Sequence, residues 1–474
     1  MSATDPAATA SPAAELLLHQ RAAFLRDGPP SLPRRRADLV RLKHAVLRRR
    51  ADIETAVKND FGHRSRHETA AMEVMTLVHG IDYLHRHLRR WMRPARRRVA
   101  MHFQPARGYV IHQPLGVVGI VSPWNYPLAL TLMPLATALA AGNRVMIKPS
   151  EFMPATSALL QTMLTELFAP EQVAVIEGDA TVGAAFSALP FDHLVFSGST
   201  AVGRSVMRAA AEHLVPVTLE LGGKSPVIID QGHAAASAAS VAFGKLANAG
   251  QTCTAPDYAL LAGEDVEPFV RAYDEAVKRL YPNGPASDDY TSIINDRHHC
   301  RLLALLDDAR AKGARVIEVG HLPHEAGAGP RKLAPTLVLD ARDDMRIMQE
   351  EIFGPLLPIR TCQGIDEVIA HVNARPRPLA LYYFGPAGEN RDKLLTRTTS
   401  GNVTINNTLL HYAQDDLPFG GVGASGIGAY HGVEGFRALS HAKGVFEQGR
   451  WNPSNLLRPP FGRLADFILK TMLR

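Results

Sequence analysis

The chain has 474 residues, 46% hydrophobic and 21% charged, with a formal net charge of +6 and three cysteines. That length gives two or three domains with ample core, and that composition belongs to an ordinary globular protein. Three cysteines exclude a disulfide framework, and no segment approaches the ~18 uninterrupted apolar residues that span a bilayer. Much of the arginine lies between residues 34 and 98, in runs such as Arg34-Arg35-Arg36 and Arg96-Arg97-Arg98. The apolar spacing there reads as helices with solvated basic faces, not as a nucleic-acid site.

Residues 1–14, rich in Ala, Ser and Pro, read as a frayed, disordered tail. They lack the charged front and apolar centre of a signal peptide, so a cytoplasmic protein with reduced thiols is expected. Residues 15–93 read as helical. Leu39, Leu42 and Val46 form one apolar stripe, and Val74, Leu77, Ile81, Leu84, Leu88 and Trp91 a second. Pro94 closes the second helix. Residues 99–113 then alternate around Gly108 as an exposed strand or hairpin arm would.

From 115 to 223 five short β-rich runs occur, at 117–122, 144–148, 173–177, 193–197 and 217–221, most of them separated by segments of helical length. Such alternation predicts an α/β fold with a doubly wound parallel sheet and ligands at the carboxyl ends of its strands. Those ends carry Ser122-Pro123-Trp124-Asn125, Lys148-Pro149-Ser150-Glu151, Ser197-Gly198-Ser199-Thr200 and Glu220-Leu221-Gly222-Gly223. No G-x-G-x-x-G follows the first strand. The nearest equivalent, Gly198 to Gly203, opens the helix after the fourth, where free N–H groups suit a pyrophosphate.

Residues 224–425 repeat the alternation: a strand at 227–230, a helix at 234–249, a strand at 258–262 and a helix at 302–312. Val338 and the segments 347–353 and 356–360 are expected to continue into a second sheet. Residues 417–430 are a glycine-rich loop of the kind that lines sites. The end, 455–474, is basic and amphipathic around Leu464, Phe467, Ile468 and Met472; a packed helix is the default reading and a membrane-surface patch the minority one.

Between the 234–249 helix and the 258–262 strand lies Gly250-Gln251-Thr252-Cys253-Thr254-Ala255-Pro256. Lone cysteines are as a rule small buried hydrophobes, which suits Cys300 and Cys362. A cysteine on a tight turn can instead act as a thiolate, with the turn's N–H groups stabilising an oxyanion. Asn125 and Glu220, at two strand ends, read on their own equally well as a turn residue and a strand-end carboxylate. Taken with Cys253 they form a coherent set. A thiolate adds to an aldehyde, Asn125 Nδ2 and the Cys253 N–H hold the alkoxide, hydride leaves to a nicotinamide, and water activated by Glu220 releases the acid.

With those motifs, and with Phe196-Ser197-Gly198-Ser199-Thr200, Glu351-Ile352-Phe353-Gly354-Pro355 and the 418–426 loop, the chain resembles the aldehyde dehydrogenase superfamily over about residues 20–450. The wording around Cys253 and at Gly428-Ala429-Tyr430-His431-Gly432 is most similar to the class of dimeric fatty- and aromatic-aldehyde enzymes, and within it to bacterial enzymes for coniferyl aldehyde. The resemblance implies Cys253 as nucleophile, Glu220 as general base and Asn125 as oxyanion donor. It places Lys148 and Glu151 on the adenosine ribose, Ser199 on the pyrophosphate and Glu351 on the nicotinamide ribose. Trp124, Ser150, Gly198, Gly203, Leu221, Gly222 and Phe353 complete the cofactor set, and no metal is implied. NAD is the expected cofactor, with NADP also usable, because Glu151 would repel a 2′-phosphate.

The implied architecture is a dinucleotide-binding domain (15–95 and 114–222), an α/β catalytic domain (223–436), a small β oligomerisation arm (96–113 and 437–450) joining a homodimer, and a C-terminal tail (451–474). For the substrate the residues near the entrance, Tyr126, His411 and Tyr412 beside Leu409 and Leu410, suit an aromatic coniferyl- or cinnamyl-type aldehyde or a medium-chain one. A fatty-aldehyde, coenzyme A-acylating or semialdehyde dehydrogenase is the alternative on the same scaffold, and a non-enzymatic scaffold protein would tolerate loss of Cys253, which is intact.

Overall fold

The computed structural model describes residues 11–320 and 331–473. Its N-terminal layer is helical: Pro12–Asp27, Leu32–Arg48, Arg50–Phe61, then a run through Arg66–Glu68, Thr69–Met75 and Thr76–Trp91. Both apolar stripes are buried in one cluster with the strand residues Val118, Ile120 and Val145. Thr69–Met75 is π-helical, a widened turn that carries the fully buried Glu73. The tail expected over 1–14 is shorter at its inner end. Ser11 Oγ accepts from the Ala14 N–H at 3.3 Å and a proline sits in the first turn, so the helix already starts at Pro12. Residues 1–10 of that expectation lie outside the described residues.

The first large sheet has the order Gly426–Ile427, Val217–Leu221, His193–Gly198, Val117–Val121, Arg144–Lys148, Val173–Val175. The last five run parallel, and the glycine-rich loop adds a short antiparallel edge. Val117–Val121 lies between Arg144–Lys148, the next strand in sequence, and His193–Gly198, to which the chain returns from the far edge, so its carboxyl end opens a crevice at a topological switch point. The helix Ala129–Ala141 is buried along its whole length, as its lack of any polar face requires.

The second large sheet has the order Arg315–Glu318, Thr336–Leu339, Leu356–Thr361, Tyr258–Leu261, Pro226–Ile229, Ala380–Phe384, Asn402–Ile405, parallel except at the first strand. The segment 347–353, expected to continue a sheet, does not. Arg346–Gln349 is a short helix, and side chains hold the backbone after it. Lys224 Nζ donates to the carbonyls of Ile347 (2.8 Å) and Glu350 (2.9 Å), Arg301 to those of Glu351 (3.1 Å) and Ile352, and Asp257 accepts from the Ile352 N–H at 3.0 Å. Backbone groups satisfied in this way need no ladder.

A third, antiparallel sheet joins Ala95–Arg97, Arg107–Pro114 and Ser440–Glu447. The strand expected over 99–113 forms only from Arg107, with its residues uniformly half-buried after the first; Met101–Phe103 is a 3-10 turn, and the main partner strand comes from the far end of the chain. The last helix, Arg463–Met472, leaves Leu464 and Phe467 exposed. Among the described residues no helix is long and apolar enough to cross a membrane.

Candidate active site

The helix Ala234–Leu246 ends in three consecutive left-handed residues, Asn248 (φ 52°), Ala249 (φ 51°) and Gly250 (φ 75°). That conformation costs a non-glycine residue roughly 1–2 kcal/mol, and a hydrogen-bond network offsets it. The Glu68 carboxylate accepts from the Asn248 N–H at 3.1 and 3.2 Å, and Asn248 Nδ2 donates to the carbonyls of Asn125 (3.0 Å) and Gln251 (3.1 Å). At the third position only glycine fits: a Cβ on Gly250 would lie 2.3 Å from the Gly354 carbonyl oxygen. The kink presents Cys253, partly buried, to a cavity of about 220 Å³. Burial, then the carboxylates of Glu351 and Glu220, push its thiol up to about 12, against the pull of the Cys253 and Thr254 N–H groups.

Asn125 and Glu220 line the same cavity. The Asn125 carbonyl accepts from Arg64 Nη1 at 2.9 Å, and its Nδ2 donates to the Gln251 carbonyl at 3.2 Å, leaving the second Nδ2 hydrogen for another acceptor. Arg64 is itself fully buried and paired with Glu73 at 3.2 Å, while Glu73 accepts from the N–H groups of Leu128 (2.7 Å) and Ala129 (3.2 Å). The chain just after Asn125 is thus fastened at both sides. Glu220 stands at the end of Val217–Leu221, buried, and neither carboxylate oxygen has a hydrogen-bond partner. Burial alone lifts its pKa well above the ordinary carboxylate range, the state of a carboxyl poised to exchange a proton.

A cleft of about 490 Å³ adjoins this cavity at the strand ends; Pro123, Trp124, Ser197, Gly198, Ser199 and His298 line both. In the cleft Lys148 Nζ donates to the Pro149 carbonyl at 2.9 Å and stands 3.4 Å from the half-exposed Glu151, beside Ser150. Ser199 caps the helix Thr200–Ala211, its Oγ accepting from the Val202 N–H at 3.4 Å. A Cβ on Gly203 would lie 2.6 Å from Leu221, so the glycine lets that helix close on the sheet. A Cβ on Gly222 would lie 2.2 Å from the Glu351 carboxylate, whose Oε1 accepts from the Gly223 N–H at 2.9 Å. Burial pushes Glu351 up to about 7. Leu221, Gly222, Glu351 and Phe353 line the central cavity, Phe353 edge-on to Trp124 at 5.3 Å.

The substrate residues named from sequence scatter. The Tyr126 hydroxyl bonds Thr252 Oγ1 at 2.7 Å, and His411 Nδ1 bonds Thr404 Oγ1 at 2.7 Å; neither is among the residues lining the central cavity. Tyr412 lines a neighbouring, smaller cavity. The apolar wall is made instead by Leu130, Phe419 and Tyr430, and His298 and Arg301 also line the cavity, His298 against Trp124 at 5.4 Å. Phe419 and Tyr430 bracket the glycine-rich loop, which was the one sequence signal for them.

The aldehyde dehydrogenase family matches residues 3–445 of the chain. The chain is 51% identical over 97% of its length, and 96% of the relative's, to a probable coniferyl aldehyde dehydrogenase of Pseudomonas aeruginosa. It is 47% identical, over 95% of its length and 94% of the relative's, to the coniferyl aldehyde dehydrogenase of Pseudomonas sp. strain HR199. Among solved structures it resembles the substrate-bound Staphylococcus aureus AldH, with a TM-score of 0.90, 36% identity and 97% and 99% of the two chains covered. It also resembles a Mycobacterium tuberculosis aldehyde dehydrogenase complexed with NAD+, at 0.82, 29% identity, 91% and 90% covered. The chain belongs to the aldehyde dehydrogenase family and is an NAD(P)-dependent aldehyde-oxidising enzyme.

Proposed function

We propose that this enzyme oxidises aromatic, coniferyl- or cinnamyl-type aldehydes to their carboxylic acids, with Cys253, Glu220 and Asn125 as its catalytic residues and NAD as its preferred cofactor. The observation that carries the reading is the convergence of these three side chains on one cavity that is continuous with a dinucleotide-sized cleft. The cleft suits the cofactor. Gly198 and the N-terminus of Thr200–Ala211 offer N–H groups to a pyrophosphate, and Lys148 and Glu151 offer an amine and a carboxylate to ribose hydroxyls. Glu351, held by the Gly223 N–H, would take the second ribose.

When bound, NAD supplies the acceptor for the hydride that leaves the aldehyde carbon. The chain's own residues do the rest. Cys253 loses its thiol proton to solvent, its own N–H and that of Thr254 favouring the thiolate, and the thiolate adds to the aldehyde carbon. The alkoxide that forms accepts from the Cys253 N–H and from the free hydrogen of Asn125 Nδ2, each donor contributing roughly 3 kcal/mol. Oxidation leaves the acyl group on sulfur as a thioester. Glu220, as the unpartnered carboxylate, then takes a proton from water, the hydroxide attacks the thioester, and the acid leaves as that proton passes to the Cys253 sulfur, which restores both groups. A buried, unpartnered base beside the thioester favours water over coenzyme A as acyl acceptor.

The substrate class rests on the relatives named for coniferyl aldehyde and on the aromatic lining by Trp124, Phe419 and Tyr430. The half-exposed Glu151 supports NAD over NADP by repulsion of a 2′-phosphate. We read residues 15–95 with 114–222 as the dinucleotide-binding unit and 223–436 as the catalytic one. A homodimer through the three-stranded sheet is supported by its eight-residue edge strand Ser440–Glu447, which leaves one row of backbone groups unpaired. The test is kcat/KM for coniferaldehyde, benzaldehyde, hexanal, acetaldehyde and succinate semialdehyde with each cofactor. Efficiency should climb with apolar size at ~0.8 kcal/mol per buried methylene and peak at the aromatic members. A flat or falling series from acetaldehyde would defeat the substrate reading, and NADP preference would defeat the role of Glu151.

A further inference from the structure

Behind the aromatic wall of the active-site cavity lies a second cavity of about 50 Å³, lined in part by Met133, Tyr412, Asp415 and His431. His431 is 4% exposed, and neither of its ring nitrogens has a hydrogen-bond partner. Burying such a group without a partner costs about 1–3 kcal/mol, so the two bare nitrogens call for a ligand. Burial also keeps the imidazole neutral, its pKa lowered to about 3, with one donor and one acceptor nitrogen. The ring stands perpendicular to Tyr430 at 4.6 Å and tilted on Phe419 at 5.2 Å, both of which line the active-site cavity. It also meets Tyr412 at 5.1 Å, which packs edge-on to Phe419 at 4.9 Å within the same ring layer and lines the small cavity. One layer of rings therefore separates two unused nitrogens from the space in which an aromatic aldehyde would lie.

We propose that His431 is a specificity-determining residue that recognises the ring hydroxyl of a phenolic aldehyde, the hydroxyl entering the small cavity as the Tyr412 side chain gives way. The inference rests on the aromatic-aldehyde reading above. A space of about 50 Å³ is smaller than the ~150 Å³ of a cavity that takes a benzene ring and larger than the roughly 10–15 Å³ that one water needs, so it fits a hydroxyl. The phenol O–H donates to the bare imidazole nitrogen, and the imidazole N–H donates to the phenol oxygen or to a water beside it. A site built to bond a hydroxyl discriminates against the analogue lacking it far more sharply than an apolar pocket does.

The experiment compares kcat/KM for 4-hydroxycinnamaldehyde and cinnamaldehyde, with NAD, in the full-length enzyme and in His431→Leu and His431→Asn, with hexanal as a third substrate. The parent enzyme should favour the hydroxylated aldehyde by about tenfold or more. His431→Leu should bring that ratio close to one, and His431→Asn, which keeps a donor and an acceptor, should hold part of it. If the leucine variant does not fold, the asparagine variant and the parent ratio decide. A parent ratio near one, or a ratio unchanged in the variants while both efficiencies fall together, overturns the proposal and leaves His431 a packing residue. If hexanal exceeds both cinnamyl aldehydes, the aromatic-aldehyde reading fails and this inference with it. If hexanal is the poorest and the parent ratio is one, only the inference fails.

Discussion

Asn125→Ala separates the chemical role of the amide from its structural one. The backbone at Asn125 is pinned by contacts that the substitution leaves in place, Arg64 Nη1 at 2.9 Å and Asn248 Nδ2 at 3.0 Å on its carbonyl. The side chain makes one hydrogen bond, to the Gln251 carbonyl, and that acceptor keeps Asn248 Nδ2 at 3.1 Å. No buried group is orphaned, so the expected stability loss is about 1 kcal/mol, the net value of one hydrogen bond. Removing an oxyanion donor should instead cost about 3 kcal/mol of transition-state stabilisation, or roughly 100-fold or more in kcat. Steady-state kinetics with cinnamaldehyde, beside a urea titration of the same variant, measures both. The reasoning is refuted if kcat falls less than about tenfold, or if the variant loses several kcal/mol of stability, which would make Asn125 a structural residue.

Gly250→Ala places a side chain in left-handed backbone against the Gly354 carbonyl at 2.3 Å, where no flexible atom can yield; denaturant titration should show a loss above about 1 kcal/mol and activity should be near zero. Folding raises the pKa of Glu351 from 4.5 to about 7, so between those values the folded enzyme binds more protons than the unfolded chain. Stability of the cofactor-free enzyme should therefore fall as pH rises from about 4.5 to 7, with Glu220 adding to the slope, and Glu351→Gln should flatten part of it in thermal melts across that range. Glu151→Gln should narrow the gap between NAD and NADP in kcat/KM, whereas an unchanged ratio would remove Glu151 from cofactor choice.

How much of this was legible beforehand follows from how local each signal is. The helical stripes at Leu39 and Leu77 and the five strands from Val117 to Leu221 were readable because periodicity is set within a few residues. The segment 347–353 looked strand-like, but Lys224, Arg301 and Asp257, remote in sequence, hold its backbone without a ladder. The pairing of Arg107–Pro114 with Ser440–Glu447 is invisible to any local pattern for the same reason. The site divides along the same line. Cys253, Asn125 and Glu220 stood out because each ends an element in a chemically distinctive run. Phe419, Tyr430 and His431 lie in a loop whose path only the folded chain defines, so the aromatic wall could not be separated from loop packing, and Tyr126 and His411 were drawn toward the substrate by proximity in sequence alone.

The covalent role of Cys253 is tested most directly by intact-mass measurement on Glu220→Gln mixed with cinnamaldehyde and NAD, followed by peptide mapping. A variant that forms the thioester but cannot activate water should release one burst of NADH and gain the mass of a single cinnamoyl group, on the peptide that carries Cys253. Cys253→Ala, treated identically, should gain nothing. Parental turnover without an adduct, or an adduct on Cys300 or Cys362, would contradict the account.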